Sequence, residues 1–317
     1  MSHMEKVTDT VVAALERRML FKRAARGAAA VAAVGALAGT GLAVSSAPAK
    51  AAPSAAQDLA ILNFALNLEY LEAEYYLRAV TGQGLAAVDR ASGDGTMQGG
   101  AVTTLPNTLV SFATPIISQF ADTIAADEQA HVRFLRSALG AAAVASPAID
   151  VGTAFTTLAV AAGIVKAGQT FNPYQDENAF LLGAYIFEDV GVTAYGGAAN
   201  MILDPGYLAA AASILAVEAY HSGTVRTLLT IRGGGAATDA VSSLRSTLST
   251  GFAAGAAGSD DFGTLDPNGI VHLAPLDTNA LTFRRTTTQV LKIVYGSAAA
   301  VPVAGLFFPA GMNGAIK

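Results

Sequence analysis

Two short motifs carry the strongest chemical signal in the chain. Glu128-Gln129-Ala130-His131 and Glu218-Ala219-Tyr220-His221 both read Glu-x-x-His. On a helix, residues three apart share a face, so a carboxylate and an imidazole at this spacing can hold one cation together. Carboxylate oxygens with a single imidazole nitrogen suit iron, manganese or zinc. Beyond residue 51 the chain has only seven Glu and three His. Two of those His follow a Glu by three positions, which makes the coincidence informative. Two further carboxylates lie in apolar surroundings: Glu69 in Asn67-Leu68-Glu69-Tyr70-Leu71-Glu72, and Glu188 in Ile186-Phe187-Glu188-Asp189-Val190. Burying such groups unpartnered is strongly unfavourable, and bound dications remove the penalty.

An internal repeat selects among the carboxylates. Glu69 is followed seven residues on by Tyr76, and Glu188 seven on by Tyr195. This alignment sets Gly191 opposite Glu72, so Glu72 has no counterpart. Arg136 and Arg226 each lie five residues after the motif His. The chain therefore reads as two helix pairs related by a pseudo-two-fold. Four-helix bundles that hold two iron or two manganese ions take a Glu from each of two helices and Glu-x-x-His from each of the other two. On that template the metal ligands are Glu69, Glu128, His131, Glu188, Glu218 and His221. Glu69 and His131 would complete one site with Glu128 bridging; Glu188 and His221 would complete the other with Glu218 bridging. Glu72 is an additional ligand or a nearby base, and Tyr76 and Tyr195 are hydrogen-bond partners of the carboxylates.

The elements that must position these groups are helices. Residues 55–80 lack Gly and Pro and carry apolar residues at helical spacing. A Gly-, Ser- and Asp-rich loop follows at 81–104. A second helix is predicted over 107–139 with an early kink at Pro115, a short one within 147–169, and a third over 175–202. Asp204-Pro205 reads as a cap with Pro at the first helical position, opening a fourth helix to about Ile231. Two helices, a long crossover and two more helices outline an all-α four-helix bundle over 55–235. Residues 236–317 read as a C-terminal extension with small helices near 237–252 and 279–295, packed on the bundle. No strand-rich region is expected.

Other polar residues have plainer readings. Glu74 and Glu177 are expected at the surface, Tyr75 in the core, and Arg136 and Arg226 paired with acids. The lone loop residue His272 and the pair Asp260-Asp261 are expected to be structural or solvated.

The composition narrows the function. The 317 residues carry a net charge of −5, with 14% charged and 52% hydrophobic residues and no Cys. Disorder, disulfide scaffolds and thiolate metal sites are thereby excluded, and a nucleic-acid partner is not expected at this acidity. At the N-terminus, Arg17-Arg18-Met19-Leu20-Phe21-Lys22 precedes a small-residue apolar run from Gly27 to Ala47 and Ala49-Lys50-Ala51. This reads as a twin-arginine-like export signal over 1–51, with an uncleaved membrane anchor as the alternative. Seven of the 19 Lys and Arg and three of the 24 acids lie there, so its removal leaves a net charge of −9. The expected product is a periplasmic or secreted protein without a membrane span.

The stretch LNFALNLEYLEAEYY (Leu62–Tyr76), both Glu-x-x-His motifs and the tail FFPAGMNG (Phe307–Gly314) resemble the ferritin-like family of desiccation-related proteins. The resemblance covers about residues 55–314. It implies a ferritin-like bundle linked to dehydration and oxidative stress. The expected activity is redox handling of iron or manganese with oxygen or peroxide, ferroxidase-like or manganese-catalase-like. A non-catalytic protective protein on the same scaffold is the alternative. The oligomeric state is open, with a homodimer one option; the long second connection and the extension disfavour a ferritin-type shell.

Overall fold

The computed structural model describes residues 55–317 apart from Pro267. The export-signal reading at 1–51 lies outside the described residues. Four long helices make the bundle: α1 (Ala55–Thr81), then α3 (Pro115–Leu139), α5 (Glu177–Ala198) and α6 (Pro205–Ile231). Between them lie a single turn, α2 (Ala87–Arg90), a short α4 (Thr153–Ala161), and strands β1 (Val102–Thr103) and β2 (Ile149–Asp150). The two strands pair in parallel, Val102 opposite Ile149. The extension carries α7 (Gly235–Thr250) and α8 (Thr287–Val294). No helix among the described residues is long and apolar enough to cross a membrane.

Local chemistry explains where the helices begin and end. The expected kink at Pro115 is corrected: the ring sits at the first helical position of α3, after Thr114, where no amide hydrogen is needed. Asp176 caps α5 by accepting from the Asn178 and Ala179 amides, and Asp204 caps α6 from the Gly206 and Tyr207 amides. α8 starts later than predicted because Thr286 and Gln289 form a reciprocal cap there. α7 stops at Gly251, whose φ of 86° is left-handed.

The four helices are not equivalent. α1 packs on α3 and α5 on α6. α3 and α6 each keep an exposed face, while α1 and α5 are buried around almost their whole circumference. A helix buried on all sides needs cover beyond its bundle partners. For α1 the crossover and tail supply it. Asn63 Nδ2 donates to the Ala142 carbonyl at 2.9 Å, and its Oδ1 accepts from the Val144 amide at 2.9 Å. Asn67 exchanges two hydrogen bonds with the Asn313 backbone. Phe307 packs against Phe155 and Phe187, with ring centroids 5.3 and 4.9 Å apart. The tail therefore docks on the bundle.

For α5 the cover is the extension, held by buried ions. Asp260 and Asp261 are not solvated. Arg245 lies 2.9 Å from Asp189 and 2.8 Å from Asp261, and Arg285 lies 2.9 Å from both Asp260 and Asp261. Arg226 joins at 2.8 Å from Asp189. Three guanidinium groups meet three carboxylates, so the network is neutral. Arg136, by contrast, donates to the Tyr70 hydroxyl and to backbone carbonyls rather than to an acid. Glu74 and Glu177 are likewise buried, not at the surface. Glu74 meets Arg78 at 2.9 Å and Arg90 at 3.3 Å. Glu177 accepts from Thr114 at the start of α3 and from Arg232 beyond α6. His272 stacks on Phe262, a structural role.

Candidate metal centre

All six residues singled out as ligands converge in the bundle interior. The His131 Nδ1 atom lies 3.2 Å from Glu69, 3.5 Å from Glu128 and 3.6 Å from Glu218. His221 Nδ1 lies 3.0 Å from the other Glu128 oxygen and 3.7 Å from Glu188. Glu128 thus spans the two imidazoles with one oxygen toward each. Three sets of donor atoms lie within 4.8 Å of one another: Glu69, Glu128, His131 and Glu218; Glu128, Glu188 and His221; and Glu72, Glu188 and Glu218. Glu218 is therefore shared between the His131 side and the Glu72–Glu188 side.

The two tyrosines cross the pseudo-two-fold. Tyr76 of α1 donates to Glu188 of α5, and Tyr195 of α5 donates to Glu69 of α1. Each engages one carboxylate oxygen, and the other oxygen faces an imidazole. Burial and the adjoining carboxylate hold both phenols well above their usual range, so they remain donors. Tyr75, one residue earlier, is a core aromatic whose hydroxyl donates to the Phe180 carbonyl.

Gly191 explains the gap in the repeat. A Cβ there would stand 2.3 Å from Glu218 Oε2 and 3.6 Å from Glu72 Oε1. The missing side chain makes the space into which both carboxylates reach. Gly191→Ala is expected to displace Glu218 and weaken cation binding by tenfold or more, about 1.4 kcal/mol. A Co²⁺ titration checks this, and unchanged affinity would refute the packing argument.

The electrostatics call for compensating protons or cations. Five carboxylates, Glu69, Glu72, Glu128, Glu188 and Glu218, are at most 5% exposed. Two protonated imidazoles would leave an excess of three negative charges. Protein donors do not satisfy Glu72 Oε2, Glu188 Oε2, His221 Nδ1, or either oxygen of Glu128 and Glu218. Buried polar atoms of this kind normally have partners. Burial pushes Glu69 up to about 7 and Glu188 up to about 8, and raises Glu72 and Glu218 well above the carboxylate range. Burial also opposes ionised Glu128, yet the adjoining His131 and His221 imidazoles hold it down at about 2. Burial opposes the imidazolium forms, but the surrounding carboxylates raise His131 to about 11 and His221 to about 9. This donor set fits hard or borderline divalent ions.

Asp127 is a participant that was not singled out from the sequence. Its Oδ2 lies 3.1 Å from His221 Nε2. A carboxylate on the outer nitrogen fixes the ring with the inner nitrogen toward the cluster. Its position beside Glu128 in the chain was the available signal.

The sequence profile of the ferritin-like domain matches residues 57–230, more than half of the chain. The chain belongs to the ferritin-like domain family. Its sequence is similar to the desiccation-related protein PCC13-62 of Craterostigma plantagineum, with 31% identity over 173 residues, covering 54% of this chain and 53% of that protein. It is also similar to the ferritin-like catalase Nec2 of Nesocodon mauritianus, with 26% identity over 279 residues, 82% of this chain and 84% of the relative. The chain thus spans about half the length of the first relative and most of the second. The ferritin-like match includes all four bundle helices to within two residues at the ends, and the buried Glu/His cluster sits at its centre.

Proposed function

We propose that this ferritin-like chain is an exported di-metal carboxylate protein that limits oxidative damage during dehydration stress. Glu69, Glu128, His131, Glu188, Glu218 and His221 hold the ions, and Glu72 is available as a further carboxylate. The observation that carries the reading is the set of buried carboxylate oxygens, drawn from four helices, that no protein donor satisfies. A bound pair of iron or manganese ions would supply electron cycling with oxygen or peroxide.

The chain's own residues do the rest. Tyr76 and Tyr195 orient Glu188 and Glu69 and keep a proton at one oxygen of each. Asp127 fixes the His221 ring. The closely packed aromatic residues around Tyr75 and Phe187 exclude water from one flank. The similarity to a protein named a ferritin-like catalase supports peroxide as the oxidant, and the similarity to a desiccation-related protein supports the stress setting.

Elemental analysis of protein purified without added metal tests the proposal. About two iron or manganese ions per chain are expected, absent from a Glu128→Ala/Glu218→Ala variant. Wild-type protein that stays empty after challenge with both metals would overturn it.

A further inference from the structure

We propose that divalent cations reach the buried cluster from one side only, through a groove between α3 and α6 that ends on His131. The inference rests on the metal reading above.

The groove is open to solvent, with a volume of ≈ 440 Å³, and its lining includes His131, Phe134, Ala209, Ala210, Ser213 and Val217. His131 is the one member of the six-residue set among its lining residues. The five carboxylates behind it are almost completely buried. A cation can therefore arrive hydrated in the groove and exchange water for the imidazole first, then for Glu69, Glu128 and Glu218, which all lie within 3.6 Å of its inner nitrogen.

The internal repeat shows how the two sides differ. α3 and α6 align at one constant offset: Pro115 with Pro205, Glu128 with Glu218, His131 with His221, Arg136 with Arg226. The same offset sets Phe120 against Ala210 and Asp127 against Val217. On the His221 side, a carboxylate is bound to the outer ring nitrogen, and a phenyl ring stands at the position of the groove's small Ala. On the His131 side, Val217 replaces that carboxylate, and Ala209, Ala210 and Ser213 leave the space above the ring open. The two halves share their ligands but differ at the residues that control approach to them. Ala210 sets the bore, and the chain itself supplies the plug that would fill it, Phe at the equivalent position.

Stopped-flow uptake of Co²⁺ by the metal-free full chain tests this, read from the cobalt absorption bands. Ala210→Phe is expected to slow uptake by about tenfold or more while leaving the final stoichiometry and spectrum unchanged. Ser213→Phe, at an exposed helix position, should do the same and guards against a folding defect in the first variant. Phe120→Ala removes the ring from the His221 side and is expected to leave uptake as fast as in the wild type or faster, never slower. Wild-type rates in both groove variants, or slower uptake in Phe120→Ala, would overturn the one-sided entrance. A wild type that binds no Co²⁺ would overturn both this inference and the metal reading; unaltered rates with normal loading would overturn only the entrance.

Discussion

Arg245→Ala is expected to lower the unfolding free energy by about 3–5 kcal/mol, the range for breaking a buried ion pair from one side. The guanidinium is 1% exposed. It donates to Asp189, Asp261, Ser242 and the Tyr185 carbonyl, and it lies over the Tyr185 ring at 4.6 Å. Truncation leaves Asp189 with Arg226 alone and Asp261 with Arg285 alone. Three carboxylates then face two cations in a dry interior, beside a cavity the size of the lost side chain. The damage reaches the buried Glu/His cluster through α5, because Asp189 is adjacent to Glu188. Urea unfolding with Co²⁺ titration of the same variant checks both effects. A loss below about 1 kcal/mol, typical of an exposed pair, would show that the network is not what holds the extension to the bundle.

The metal-free protein is expected to be most stable near pH 5 and to lose stability steadily toward pH 9 (about one unit either way). Glu69 and Glu188 hold protons up to about 7 and 8, against an ordinary 4.5. Between 4.5 and 8 the folded chain therefore binds protons that the unfolded chain has released, and stability falls as pH rises. His131 and His221 act in the same direction. Raised to about 11 and 9 from 6.5, they contribute fully below pH 6.5, and the contribution disappears as pH climbs through 9 and 11. Glu128, held at about 2, contributes above 4.5 and is lost in stronger acid. Metal reverses the alkaline trend, since ligation requires the deprotonated carboxylates and neutral imidazoles. Thermal melts in a chelator should give a Tm that drops from pH 5 to 8, and added Mn²⁺ should raise Tm most at the alkaline end. A chelated protein whose Tm rises over that interval would contradict the buried-carboxylate account.

The helices and the cluster were legible because both depend on short-range spacing. Glu-x-x-His fixes two donors on one helix face whatever surrounds it, and the Glu69/Tyr76 and Glu188/Tyr195 repeat separated the two inner carboxylates from Glu72. The crossing of the tyrosines was not legible, because i and i+7 spacing says nothing of which partner lies across a bundle. Asp260 and Asp261 looked solvated in a Gly-rich loop, since Arg245 and Arg285 lie 15 or more residues away along the chain. Glu74 and Glu177 failed for the same reason: their burial depends on Arg90 and on Thr114 and Arg232, which other segments deliver. Pro115 reads in sequence as a kink within a helix from 107, whereas the helix starts at it, because Pro lacks the amide that a helix interior would use.

The enclosure of α1 bears on the order of events during synthesis. Asn313 hydrogen-bonds Asn67, two residues ahead of Glu69, and Phe307 packs on Phe187, the residue before Glu188. The segment that completes the outer wall behind both carboxylate helices thus leaves the ribosome long after the helices themselves. A nascent chain carrying α1 through α6 exposes apolar flanks that only the final segment covers. Closure of that wall is therefore a post-translational event, and loss of a few residues near Asn313 would disturb a cluster encoded some 240 positions upstream.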